Sequence, residues 1–248
     1  MKTIVKNGML CTESGVYEAD ILIENGVIRE IGTGLAEHES KLGSADAEIE
    51  IVDASGKYVL PGAVDIHTHM DLDVGIARVI DDFYTGTIAA ACGGTTSIVD
   101  HMAFGPKDCS LWHQVKEYHR LADGNAVVDY GFHGVFQHVN PQVLEEMGEI
   151  AKEEGITSFK VYMTYGYGLG DGDLMQILTQ ARKDGILIAS HCENDGIVNY
   201  WRDKFVKEGH TQAKYHPISR PAEAEAEAVN RFLYLAESAG EAPVYVVH

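Results

Sequence analysis

VDIHTHMD, residues 64–71, places two histidines one residue apart in a run that otherwise reads as a β-strand. Successive side chains of a strand point to opposite faces, so His67 and His69 share a face with Asp65. Two imidazoles beside a carboxylate suit a divalent cation. A His-X-His pair also arises with one ring packed in a core and the other at an edge, so the meaning of the motif depends on its surroundings.

On the C-terminal side, strand-like runs continue as TTSIVDHM (95–102), AVVDYGFHGVF (126–136), TSFKVYMT (157–164), ILIASHCE (186–193) and PVYVVH (243–248), with helical patterns between several of them. In DGDLMQILTQARKDG (171–185), Leu174, Ile177, Leu178 and Ala181 recur at i, i+3, i+4 and i+7, with Asp173 the expected N-cap and Gly185 just past the end. PAEAEAEAVNRFLYLAESAG (221–240) reads as another helix, with Pro221 in the first turn, glutamates at its positive end and Gly240 at the stop. Strand followed by helix, repeated, predicts a parallel sheet.

A doubly wound nucleotide-binding sheet would carry a glycine-rich phosphate turn after a strand. CGGTT (92–96) precedes its strand instead, and YGYGLGDGD (165–173) lacks both the G-x-G-x-x-G spacing and the Lys-Ser/Thr of a P-loop. The expected fold is therefore a (β/α)8 barrel with its site at the carboxyl ends of the strands. Six of the eight strands fall within the chain, so residues 59–248 read as an incomplete barrel and the sequence as the front portion of a longer protein. An unpaired sheet edge makes the isolated chain a poor monomer. Residues 1–58 read as part of a small β-sandwich domain. Their short β-branched runs are punctuated by Asn7-Gly8 and Asn25-Gly26, both expected as hairpin turns, and Gly56 and Pro61-Gly62 mark the passage into the barrel.

Nineteen Lys and Arg stand against 38 Asp and Glu, a net charge of −19, with no basic stripe. Nucleic acid and anionic membranes are thereby disfavoured as partners. No uncharged apolar run is long enough to span a bilayer, and a cytoplasmic protein is expected. Cys11, Cys92, Cys109 and Cys192 form no C-x-x-C pair, which argues against both a disulfide framework and a thiolate zinc site.

Potential ligands recur where the strands of a barrel would converge: His67 and His69 on the first, Lys160 on the fourth, His191 on the fifth and His248 on the sixth. Each has an ordinary explanation alone, but five at equivalent positions do not arise easily by chance. His38, His101, His113, His119, His133, His138, His210 and His216 lack that combination of strand end and partner and are read as packing or surface residues. His101, at the end of the second strand, comes nearest to an exception.

PGAVDIHTHMD, SFKVYMTY, SHCEN, HPISRPAEAEAEAVNRFLYLA and VYVVH together resemble the cyclic amidase branch of the amidohydrolase superfamily, the D-hydantoinases and dihydropyrimidinases. The resemblance implies that His67 and His69 bind one divalent metal, that His191 and His248 bind a second, and that Lys160 carries a carbon dioxide-derived carboxylate bridging both. It implies zinc first, with manganese, iron or nickel also accepted by such ligands. The implied activity is hydrolysis of a cyclic amide, in 5-substituted hydantoins or dihydropyrimidines, by a metal-bridging hydroxide, with Tyr165 stabilising the developing oxyanion. It places the proton-relaying aspartate beyond the sixth strand, so residues 1–248 alone are expected to be inactive, and it implies a homotetramer for the full-length form. Dihydroorotases resemble H-x-H-x-R, whereas Met70 and Asp71 follow His69 here, which disfavours a carboxylate-bearing ring. Met70, Leu72 and YMTYGYGLG suggest an apolar lid, favouring a ring substituent over the polar allantoin of an allantoinase-like ureide hydrolase. A non-catalytic dihydropyrimidinase-like assembly protein is the alternative of a different class; retention of all five ligand positions argues against it.

Overall fold

The computed structural model describes residues 1–42 and 49–248, so residues 43–48 of the first predicted unit lie outside the described residues. The chain divides into two compact units, Met1–Ala63 and Val64–His248.

The first unit holds β1 (Lys2–Thr12), β2 (Gly15–Glu24), β3 (Val27–Gly32), α1 (Leu35–Leu42), β4 (Ile49–Asp53) and β5 (Tyr58–Val59). Its sheet runs β3-β2-β1-β4, with β5 also on β1. The β1/β2 and β2/β3 pairs are antiparallel, while β4 and β5 run parallel to β1. Asn25 and Gly26 turn the β2/β3 hairpin with φ of 51° and 78°, the left-handed pair a tight turn of this hand requires. Asn7-Gly8 does not turn the chain. It lies inside β1, where the register against β2 slips between Val5 and Gly8. A bulge uses the same positive φ as a hairpin, and here Asp20 Oδ1 accepts the Asn7 N–H at 2.9 Å. Gly8 itself is dictated by close approach: a Cβ there would lie 2.5 Å from Val59 Cγ2.

The second unit alternates β6 (Ala63–Thr68), α2 (Phe83–Cys92), β7 (Thr95–His101), α3 (Leu111–Ala122), β8 (Asp129–Val135), α4 (Pro141–Glu153), β9 (Ser158–Tyr162), α5 (Asp171–Asp184), β10 (Leu187–His191), α6 (Asp195–Lys207), α7 (Ala222–Ser238) and β11 (Val244–Val246). Among the described residues its six strands lie in chain order, β6 to β11. The pairs from β7 to β11 are all parallel. A doubly wound sheet reverses its strand order at a switch point; this one never does, which is the order of a (β/α)8 barrel. β9 and β10 are covered on both faces, their three central residues all buried.

The helices lay their apolar stripes on this sheet. Leu174, Ile177, Leu178 and Ala181 of α5 are fully buried, and Gly185 ends the helix in the left-handed region at φ 71°. The N-cap differs from expectation: Gly170 occupies it, so α5 starts earlier and Asp171 and Asp173 both sit in the first turn, where the positive helix end favours them. In α7, Pro221 is the N-cap residue, followed by Glu223 and Glu225 in the first turn.

Candidate metal centre

Side-chain hooks from neighbouring strands hold β6 and the residues that follow it. Asp100 of β7, fully buried, accepts hydrogen bonds at Oδ2 from Thr68 Oγ1 at 2.6 Å and from the Met70 N–H at 2.8 Å, the residues on either side of His69. His133 of β8 donates from Nε2 to the Ile66 carbonyl at 2.9 Å. Its burial favours the neutral ring, so Nδ1 is left to accept from Ser158 Oγ at 2.5 Å. His67 and His69 are thus fixed from both sides. Asp65, beside them in the sequence, bends back to accept the His67 N–H at 3.1 Å.

The His67 and His69 rings lie 5.2 Å apart between centroids, and His248 stands 5.3 Å from His67. Burial, assisted by the charge of Lys160, holds both His67 and His69 down at pKa values of about 4. At neutral pH each ring is therefore neutral and keeps one nitrogen with a free lone pair. His69 Nδ1 is buried without a hydrogen-bond partner.

Lys160, in the middle of β9, is 1% exposed, and among the described residues no carboxylate pairs with it. Its Nζ lies 5.4 Å from the centre of the Tyr162 ring. Desolvation pulls its pKa down to about 8, bringing the neutral amine within reach of ordinary conditions.

His191 at the end of β10 has its two nitrogens assigned by their neighbours. Nε2 donates to Glu193 Oε2 at 2.7 Å, which leaves the lone pair on Nδ1, and Nδ1 faces His248 Nε2 at 3.5 Å. A carboxylate behind an imidazole fixes tautomer and ring orientation and raises ligand basicity. Glu193 is in turn ion-paired with Arg220. Tyr165 lies on the loop after β9, 47% exposed, its ring 5.1 Å from that of His191. Burial of its hydroxyl raises the pKa above the usual phenol value, with the Arg220 charge opposing.

All six candidates, His67, His69, Lys160, Tyr165, His191 and His248, line one cavity of about 640 Å³. Leu72, Val74, Ile76, Phe104 and Tyr167 give it an apolar wall, in which Phe104 and Tyr167 stack at 3.5 Å. Arg202 also reaches it.

Several neighbours of the site escaped the sequence reading. His101, assigned an ordinary packing role, has its ring 4.3 Å from His67 and 5.0 Å from His69, and is 2% exposed with neither nitrogen partnered. One nitrogen from each of these three rings lies within 4.8 Å of the others, close enough to share an ion. Its place at a strand end was the available signal. Glu193 and Arg220 sit in SHCEN and HPISRP, but their roles depend on a meeting across 27 residues that no local pattern announces.

Residues 58–225 match the Amidohydrolase family. Over all 248 residues the chain is 48% identical to a D-phenylhydantoinase of Escherichia coli O1:K1, of which it covers 52%. Its fold matches a crystal structure of D-hydantoinase with a TM-score of 0.91 at 41% identity, and dihydropyrimidinase from Brevibacillus agri NCHU1002 with a TM-score of 0.90 at 40% identity. In both cases all of this chain and 52% of the other are covered. The chain thus spans about half the length of the relatives it matches.

Proposed function

The chain belongs to the amidohydrolase family, and from that premise we propose that the intact protein hydrolyses the ring amide of 5-substituted hydantoins or dihydropyrimidines. The observation that carries this reading is the convergence of six side chains from four strands, at or near their carboxyl ends, and one loop on a single cavity with an apolar wall.

The donor set fits two divalent ions. His67 and His69 are neutral and side by side, His191 Nδ1 carries its lone pair facing His248 Nε2, and Lys160 is buried with no paired carboxylate among the described residues. His67 and His69 would hold one ion and His191 and His248 the other. Lys160, after its neutral amine adds carbon dioxide, would serve both as an anionic ligand. Such ions supply Lewis acidity and make water nucleophilic at neutral pH. Tyr165 donates its hydroxyl to the oxygen of the attacked carbonyl as charge develops there. Leu72, Phe104 and Tyr167 exclude water from the ring's apolar substituent and orient its amide toward the histidines, which favours substituted hydantoins and dihydropyrimidines over allantoin. Zinc as the first choice of ion, a tetrameric assembly and a cytoplasmic location belong to the same proposal.

The test is metal analysis of the intact protein together with turnover of 5-phenylhydantoin, dihydrouracil and allantoin. Two ions per chain and turnover of the first two are expected. A metal-loaded protein that turns over none of the three would return it to the assembly-protein class.

A further inference from the structure

Glu193 and Arg220 do not line the cavity, yet each touches a residue that does. Glu193 Oε2 accepts from His191 Nε2 at 2.7 Å and from Arg220 Nη1. The Arg220 guanidinium carbon in turn lies 5.0 Å from the centre of the Tyr165 ring. The pair is largely sequestered, with 13% of the Glu193 side chain and 19% of the Arg220 side chain exposed.

Tyr165 needs such support. Its φ of +68° lies in the left-handed region that a non-glycine residue occupies only at a cost, and its side chain is nearly half exposed. Neither backbone preference nor burial fixes its ring. Rings approach it, His191 at 5.1 Å and Tyr162 at 6.3 Å, and the charges of Arg220 and Glu193 both act on its hydroxyl, but it is the anchored Arg220 guanidinium that lies against its ring. A guanidinium can give an edge to a carboxylate and a face to an aromatic ring at once, which an ammonium cannot.

We propose that Arg220 is a positioning residue for Tyr165: anchored by Glu193, its guanidinium holds the tyrosine ring beside His191, so that one ion pair sets both the hydroxyl donor and the imidazole. The proposal rests on the reading of Tyr165 as the oxyanion donor. It also gives a task to HPISRP, whose serine, arginine and proline begin the segment that leads into α7.

The test uses the intact protein with Arg220→Gln, Tyr165→Phe and the double variant, each assayed for metal content and for kcat and KM on 5-phenylhydantoin. Arg220→Gln is expected to lower kcat on the order of 10-fold with metal content and KM nearly unchanged, and the double variant to be no slower than Tyr165→Phe alone. Additive losses, or loss of metal in Arg220→Gln, would overturn the proposal, because Arg220 would then act independently of Tyr165 or through His191. A second measurement needs no turnover. Nitration of Tyr165 by tetranitromethane, followed by peptide mass spectrometry, should rise several-fold in Arg220→Gln while the exposed Tyr200 serves as internal reference. Unchanged nitration would also overturn it. Failure of the functional reading appears differently, as a wild-type protein without turnover or a Tyr165→Phe variant of full activity, and the nitration result still decides the positioning role.

Discussion

Lys160 and Asp100 are two buried charges-in-waiting, and they titrate in opposite senses. Burial lowers the Lys160 pKa to about 8, so the amine that can add carbon dioxide grows as pH rises toward and through that value. Carboxylation is expected to follow: a structure of the metal-loaded intact protein prepared at alkaline pH with bicarbonate should show a carbamate on Nζ, and a bare amine beside two bound ions would refute it. For Asp100, burial raises the pKa to about 7, against the pull of the Thr68 and Met70 hydrogen bonds. The folded state therefore holds a proton that the unfolded chain has already released between pH 3.8 and about 7. The unfolded state binds fewer protons across that window, so this group's contribution to stability falls as pH rises through it and is constant above. Asp100→Asn keeps an acceptor for Thr68 and Met70 without the ionisation. Its denaturation midpoint should gain on wild type as pH goes from 4 to 7, while Asp100→Leu, which abandons both donors, should lose on the order of 2 kcal/mol or more at any pH. Parallel pH profiles for wild type and Asp100→Asn would show that Asp100 does not carry this proton.

At the scale of elements, the sequence announced what depends on periodicity and missed what depends on neighbours. The strand runs around His67, His101, Lys160, His191 and Val246 each became a strand, because continuous β-branched and aromatic stretches bounded by turn residues favour extended backbone. The two Asn-Gly pairs were locally equivalent, yet only Asn25-Gly26 turns the chain; the Asp20 carboxylate that captures Asn7 comes from the next strand. Likewise Asp173 had a capping side chain, but α5 begins before it, at Asp171, with Gly170 as its N-cap. Gly134 carried no legible signal at all. It lies in β8 opposite Phe159 of β9, and a Cβ there would sit 2.1 Å from Phe159 Cδ1, inside a ring that is fully buried. Gly134→Ala must therefore push Phe159 out of its place next to Lys160. A loss of about 1–3 kcal/mol or more is expected, measured by chemical denaturation, with recovery when Phe159→Leu is added. An undisturbed Gly134→Ala variant would mean that the β8/β9 interface has slack.

At the scale of the whole molecule, the constellation was legible because strand ends of a barrel converge, whereas the hooks that hold it come from strands distant in the sequence. That division also locates the weakness of residues 1–248 taken alone. His67 belongs to β6, His69 follows it and His248 follows β11, the two strands that end the six-stranded order, so three of the four candidate imidazoles stand on or just after strands hydrogen-bonded on one side only within the described sheet. Val64, Ile66 and Tyr245 on those strands are 60%, 51% and 48% exposed. Unpaired apolar edges promote pairing between copies; a net charge of −19 opposes it by long-range repulsion, which salt screens. The 248 residues expressed by themselves are therefore expected to associate, and to associate more as salt is raised, an effect measurable by light scattering or sedimentation. Ligand geometry that depends on half-supported strands should not hold, so no turnover of 5-phenylhydantoin or dihydrouracil is expected even with zinc or manganese and bicarbonate supplied. A monodisperse 248-residue species that hydrolyses either substrate would show that β6 and β11 need no further support, and would move the origin of site rigidity to the Asp100 and His133 hooks alone.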